Sequence, residues 1–141
     1  MAEKQYNHCY DGAVDETLLV QGSGNTDSIL IACHPSLTVP MTPKTAFLVA
    51  SLLFHVDGSL EKNFRIPTAK DLKLIFEASR KSRNLLKGFP DGYYLSSDRG
   101  FFGLCVYARY FGRGPQDGYN GWEWANKNFH SFFVYDLPAP G

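Results

Sequence analysis

The stretch Ile66-Pro67-Thr68-Ala69-Lys70-Asp71-Leu72 constrains this chain more than any other. Proline disfavours helix at the residue before it, so Ile66 is held extended. Thr68 then suits a helix N-cap, and Asp71 stands three residues on, where a capping box places its acidic partner. Helical spacing follows: Leu72, Ile75, Phe76 and Ser79 share one face, with Lys70, Lys73, Glu77 and Arg80 mainly away from it. The helix fades through residues 80–84, whose basic side chains complement the negative end of the helix dipole and need no ligand. A second helix is predicted upstream. Thr42 caps it, Pro43 fits its first position, and Ala46, Val49, Ala50 and Leu53 form its buried stripe, widened by Phe47 and Phe54. Asp57-Gly58 supplies the expected stop.

The rest of the chain reads as strands and loops. "TLLVQ" (17–21) and "SILIACH" (28–34) are apolar runs of strand length around "GSGNTD", which predicts a hairpin. "GYYLSS" (92–97), "FFGLCVYARYF" (101–111) and "FHSFFVYDL" (129–137) are three further strands. In the second of these, Phe102, Leu104, Val106 and Ala108 would share one face, with Phe101, Cys105, Tyr107 and Arg109 on the other. "GRGPQDGYNGWEWANKN" (112–128) is predicted to be a long loop, and "PAPG" a frayed end. Residues 1–16 form a polar N-terminal arm, and residues 17–141 a single domain.

Totals narrow the function classes. The 14 basic and 14 acidic side chains cancel, so the chain lacks the basic footprint of a general nucleic-acid binder. Three cysteines, Cys9, Cys33 and Cys105, show no CxxC spacing, which argues against a disulfide framework or a zinc knuckle. The start has no apolar run of signal-peptide length, and no stretch reaches membrane-spanning length; the expected setting is the reducing cytoplasm, with no membrane partner.

The order of these elements resembles the small bacterial and phage domains of the Lcl C-terminal type, a variant of the C-type-lectin-like fold. Phe64-Arg65-Ile66-Pro67-Thr68 with Asp71-Leu72 matches that family's "WR-[LIV]-P-T-x-x-E-L" pattern, and Tyr93-Tyr94-Leu95-Ser96-Ser97 matches its "YYWSS" strand. Phe64 and Leu95 replace the two tryptophans. Residues 17–137 follow the family's order. The resemblance implies an α+β fold, an antiparallel sheet with two flanking helices and a long loop, used for binding rather than catalysis. The calcium motifs of true lectins, EPN and WND, are absent, and "GPQDG" holds the letters of a sugar-binding tripeptide in the wrong order. Neither calcium nor any other cofactor is expected.

Candidate chemistry is sparse. Cys33 and His34 are adjacent, and on a strand would point to opposite faces. His8, His34, His55 and His130 show no metal-ligand spacing, and the GxG pairs at 22–24 and 112–114 do not continue into a phosphate loop. Glu123, between two tryptophans, has no partner carboxylate at a glycosidase-like spacing. The 112–128 segment is the best functional candidate. Arg113, Tyr119, Trp122 and Trp124 are residue types that dominate interface hot spots, and Asp117 and Asn120 could add directional hydrogen bonds. One of the two tryptophans is expected to plug the core. These residues predict a non-enzymatic protein-binding module. Solitary small domains of this sort are common in phages and mobile elements, where the expected action is to bind and inhibit a host defence protein. The alternatives are a lectin-like module for carbohydrate or a small molecule, and an enzyme using Cys33 or Cys105.

Overall fold

The computed structural model describes residues 14, 16–22, 28–33, 37–57 and 60–137. Within them the chain is α+β. Strands β1 (Thr17–Val20) and β2 (Ser28–Ala32) precede helix α1 (Pro43–Leu52), the short strands β3 (Phe54–Asp57) and β4 (Leu60–Asn63), and helix α2 (Ala69–Lys81). Strands β5 (Gly92–Gly100), β6 (Cys105–Phe111), β7 (Asn120–Trp124) and β8 (Val134–Leu137) follow. The expected single sheet is instead two antiparallel three-stranded sheets, β1-β2-β8 and β5-β6-β7, with β3-β4 as a separate hairpin. Residues 129–133 stitch the two sheets together. His130 N–H donates to Tyr93 O and Leu95 N–H to His130 O, both at 2.9 Å, and Ala32 N–H donates to Phe133 O at 2.9 Å. The last strand is therefore shorter than the predicted 129–137.

Both helices start as the sequence dictates. Thr45 N–H donates to the Thr42 hydroxyl, with Pro43 in the first turn. At α2 the capping box is complete: Asp71 N–H donates to Thr68 Oγ1 at 3.2 Å, and Thr68 N–H to Asp71 Oδ2 at 2.9 Å. Asp71 also accepts from Arg65 Nη1 at 2.7 Å, while the same guanidinium donates to both carboxylate oxygens of Asp136 at 2.7 and 2.8 Å. Arg65 also pairs with Val134 through reciprocal backbone hydrogen bonds. The 64–67 segment thus fastens the start of α2 to the final strand, which gives Arg65 a structural role beside Pro67.

Helix α1 ends earlier than expected. It stops at Leu52, and Phe54–Asp57 is a strand, so Asp57 closes a strand and Gly58 lies outside the described residues. The cause is tertiary. Asn63 Nδ2 donates to the carbonyls of Ser51 and Leu53 at 2.9 and 3.0 Å, and Phe64 N–H also donates to Leu53 O. A residue 12 positions from Ser51 and 10 from Leu53 satisfies carbonyls that a continuing helix would have used.

Neighbouring residues on the strands feed two separate cores. Leu95, Val106, Ala108, Phe133 and Tyr135 pack with Ala46 and Ala50 of α1 and with Leu53, which caps its end. Tyr94, Phe111, Phe132, Ile29 and Ile31 pack with Leu72 and Ile75 of α2. Tyr94 and Leu95 are adjacent yet belong to opposite cores, as the two-residue period of a strand requires. Tyr94 and Phe132 stack at 4.0 Å, with Phe111 edge-on to both. Val14 is buried, and its N–H donates to Phe54 O, so the end of the predicted arm joins the first core. Of residues 1–16, all but 14 and 16 lie outside the described residues.

Candidate functional site

The predicted strand 101–111 breaks at its start. Strand β5 runs on to Gly100, Phe101–Gly103 forms a single 3₁₀ turn, and β6 begins only at Cys105. Phe101 and Phe102 have φ of 52° and 56°, a left-handed conformation that costs a bulky residue roughly 1–2 kcal/mol. Phe101 and Leu104 are exposed, and Phe102 completely so. The predicted alternation of faces therefore holds only from Cys105 onward. Glycines at 100 and 103, flanking the phenylalanine pair, were the signal for a turn.

The predicted loop 112–128 also contains a strand. Asn120–Trp124 is β7, paired antiparallel with β6 so that Trp122 lies opposite Tyr107 and Trp124 opposite Cys105. Tyr110 N–H donates to Tyr119 O at 2.7 Å, and Ala125 N–H to Leu104 O at 2.8 Å. Odd-numbered residues of this stretch thus turn their backbone groups toward β6, and Asn120, Trp122 and Trp124 turn theirs outward. On that side the sheet has no further strand among the described residues. The same three residues are exposed. Trp122 and Trp124 keep 53% and 57% of their surface accessible, so neither tryptophan plugs the core. The reason is their register: they share a face with Tyr107 and Cys105, whereas the core side of β6 is built from Val106 and Ala108.

Trp122 is held rather than free. Its ring meets Tyr107 edge-on at 5.4 Å and lies over Gly100, where a Cβ would come within 3.1 to 3.3 Å of three of its carbons. Tyr107 Oη donates to Asn120 Oδ1, and Asn120 Nδ2 donates to Gly118 O at 3.3 Å. Tyr119 is exposed and packs edge-on to Tyr93 at 6.5 Å.

Arg113 and Asp117 go elsewhere. They line a cleft of about 380 Å³ between the end of α2, the 82–91 loop and the 112–118 turn. Asp117 is committed there: it accepts from Arg80 Nη2 at 2.8 Å and from Gly112 N–H at 3.2 Å. The six residues chosen from the sequence are thus divided between two features, with Tyr119, Asn120, Trp122 and Trp124 at the β7 edge and Arg113 and Asp117 at the cleft.

The cysteine and histidine candidates are occupied structurally. Cys33 Sγ donates to Ile31 O at 3.5 Å, and burial, with the nearby Glu16 carboxylate adding to it, pushes its thiol above the ordinary value. Cys105 is buried at the start of β6, opposite Trp124. His55 Nδ1 lies 3.3 Å from Val14 O and His130 Nδ1 2.9 Å from Thr38 O, so in each ring that nitrogen carries the proton and donates. Cys9, His8 and His34 lie outside the described residues. Among the described residues no group of three or more His, Cys, Asp or Glu could hold a metal, and no helix is long and apolar enough to cross a membrane.

Compared with family models, with characterised proteins and with solved structures, the chain matches none.

Proposed function

We propose that this protein is a non-enzymatic protein-binding module that recognises its partner through the open edge and tryptophan face of β7. One observation carries the reading: Asn120 and Trp122 present outward backbone groups and exposed side chains together, and Trp124 adds an outward N–H and an exposed ring, its carbonyl accepting from Lys127 N–H at 3.3 Å. An extended segment of a partner could pair with those backbone groups as a fourth strand, which is a recurring mode of peptide recognition. Burying the exposed half of each tryptophan, roughly 100 Å², would contribute about 2.5 kcal/mol apiece. Phe101, Phe102 and Leu104 extend the apolar surface beyond Gly100. The C-type-lectin-like family is a further part of this proposal, supported by the resemblance of residues 64–72 and 93–97; inhibition of a host protein by occupancy rests on the small size and type of the domain, and the cytoplasmic setting on cysteines without disulfide spacing.

The polar geometry disfavours the carbohydrate alternative. A sugar platform pairs stacked rings with free directional groups, yet Asn120 Oδ1 is engaged by Tyr107 and Asp117 by Arg80. For an enzyme using Cys33, the raised thiol is the wrong adjustment, since a nucleophile needs its thiolate. Iodoacetamide labelling of Cys33, followed by peptide mass mapping, should rise only at pH values above those that label free cysteine. Labelling at neutral pH would restore the enzyme reading.

The edge itself is testable at one atom. Asn120→Pro removes an outward N–H, a place where an edge strand tolerates proline, while Asn120→Ala keeps it. In pull-downs from cells of the source organism, a discrete partner should be retained by Asn120→Ala and lost by Asn120→Pro and by Trp122→Ala. Equal capture by all three variants would refute the assignment.

A further inference from the structure

The cleft that holds Arg113 is a different surface, and its charge is uneven. Arg80, Arg83, Lys87 and Arg113 line it against only Asp91 and Asp117, four cations to two carboxylates, a local surplus of two in a chain whose charges balance as a whole. Structural duties account for part of that charge. Arg80 is paired with Asp117, lies 4.8 Å over the Phe76 ring and, with Lys81, sits in the last turn of α2, where the dipole favours cations. Arg83 and Lys87 lie beyond the helix, and Arg113 comes from another element. These three are exposed, and among the described residues none forms an ion pair. Asp91 is packed against the backbone of Gly112, where a Cβ would fall 2.7 Å from its carboxyl carbon.

We propose that this cleft binds a small organic phosphate monoester. The surplus of two positive charges matches a group carrying about −1.5 to −2 at neutral pH. Two guanidinium groups and an ammonium are supplied by two segments, Arg83 and Lys87 by the 82–91 loop and Arg113 by the 112–118 turn, so a phosphate can be met from both. The remainder of the ligand has an apolar wall, because Leu86, Phe89 and Pro90 are half-buried along the same cleft above the Tyr94 and Phe132 floor. A volume of about 380 Å³ falls in the lower part of the range for small-molecule sites, roughly 300–1,000 Å³.

Isothermal titration with AMP, adenosine, inorganic phosphate and a single-stranded oligonucleotide tests this directly. AMP should bind saturably, more tightly than inorganic phosphate and more weakly at high salt, and adenosine should not bind. The double variant Lys87→Ala/Arg113→Ala should weaken AMP about tenfold or more, and Arg83→Ala should weaken it further. Trp122→Ala should leave AMP binding unchanged, which separates this site from the β7 edge. All three cationic side chains are exposed, so circular dichroism should show folded variants. The proposal is overturned if AMP does not bind, if adenosine binds as well as AMP, or if the variants bind like the parent. Preference for inorganic phosphate or for the oligonucleotide over AMP would overturn it equally.

Discussion

The corner around Arg65 and the hairpin from Phe101 to Trp124 use their side chains in opposite ways. At the corner every polar group closes on another part of the chain: Arg65 on Asp71 and Asp136, Thr68 on Asp71, and Asn63 on the end of α1. In the hairpin, large apolar groups face outward, and two consecutive phenylalanines hold a backbone conformation unfavourable to them. Burial lowers free energy and strain raises it, so the second region is costly to the fold taken alone. A partner that covers the hairpin would offset that cost. Under the proposed function, the difference separates what organises the molecule from what it would offer to a partner.

The sharpest way to break the comparison is to exchange the consequences of aromatic truncation. Phe132 is fully buried between Tyr94, Phe111 and Phe89, so Phe132→Ala should lose about 3–5 kcal/mol of stability, read by urea unfolding. Trp122→Ala removes a larger side chain from an exposed site. It should cost under about 1 kcal/mol, chiefly its contacts with Tyr107 and Gly100, while abolishing partner capture. A Trp122→Ala variant that unfolds as readily as Phe132→Ala would make the strip part of the core.

A smaller effect tests the corner alone. Asp71→Ala leaves Thr68 N–H without its acceptor and Arg65 with one carboxylate instead of two. About 1–2 kcal/mol should be lost, with capture at the β7 edge intact once the variant is folded. Loss of capture in folded Asp71→Ala would show that the two regions are coupled.

The same contrast explains what could be read beforehand. The corner was legible because its signals are local: a proline, a cap and an acidic residue at fixed spacing determine the start of α2 whatever surrounds it. The end of α1 was not legible, since Asn63 stops it through space. Strand β7 was hidden for a related reason. Asn120-Gly121-Trp122-Glu123-Trp124 has no buried apolar alternation, because the face that carries its large side chains is the exposed one. The glycine-rich setting of the two tryptophans did not reveal that both are exposed, and the division of the six candidate residues between edge and cleft depended on the register with β6. The split of one predicted sheet into two likewise depended on residues 129–133, whose strand-like composition gives no hint that they cross between sheets.

The least costly perturbation bears most directly on why the hairpin keeps its strained tip. Phe102 is fully exposed at φ 56°, so replacing it removes no packing within the described residues. Glycine adopts that conformation without the steric penalty, although it also raises the entropy of the unfolded chain. Relief of roughly 1–2 kcal/mol against an entropic loss of roughly 0.5–1 kcal/mol leaves a net stabilisation between zero and about 1.5 kcal/mol for Phe102→Gly. Partner capture should weaken at the same time, because the ring is part of the proposed binding surface. Unfolding midpoints and capture measured on one preparation decide the matter. Higher stability with weaker capture means that the strained phenylalanine serves recognition at the fold's expense, whereas lower stability would mean that Phe102 supports the turn and that the contrast between the two regions is drawn in the wrong place.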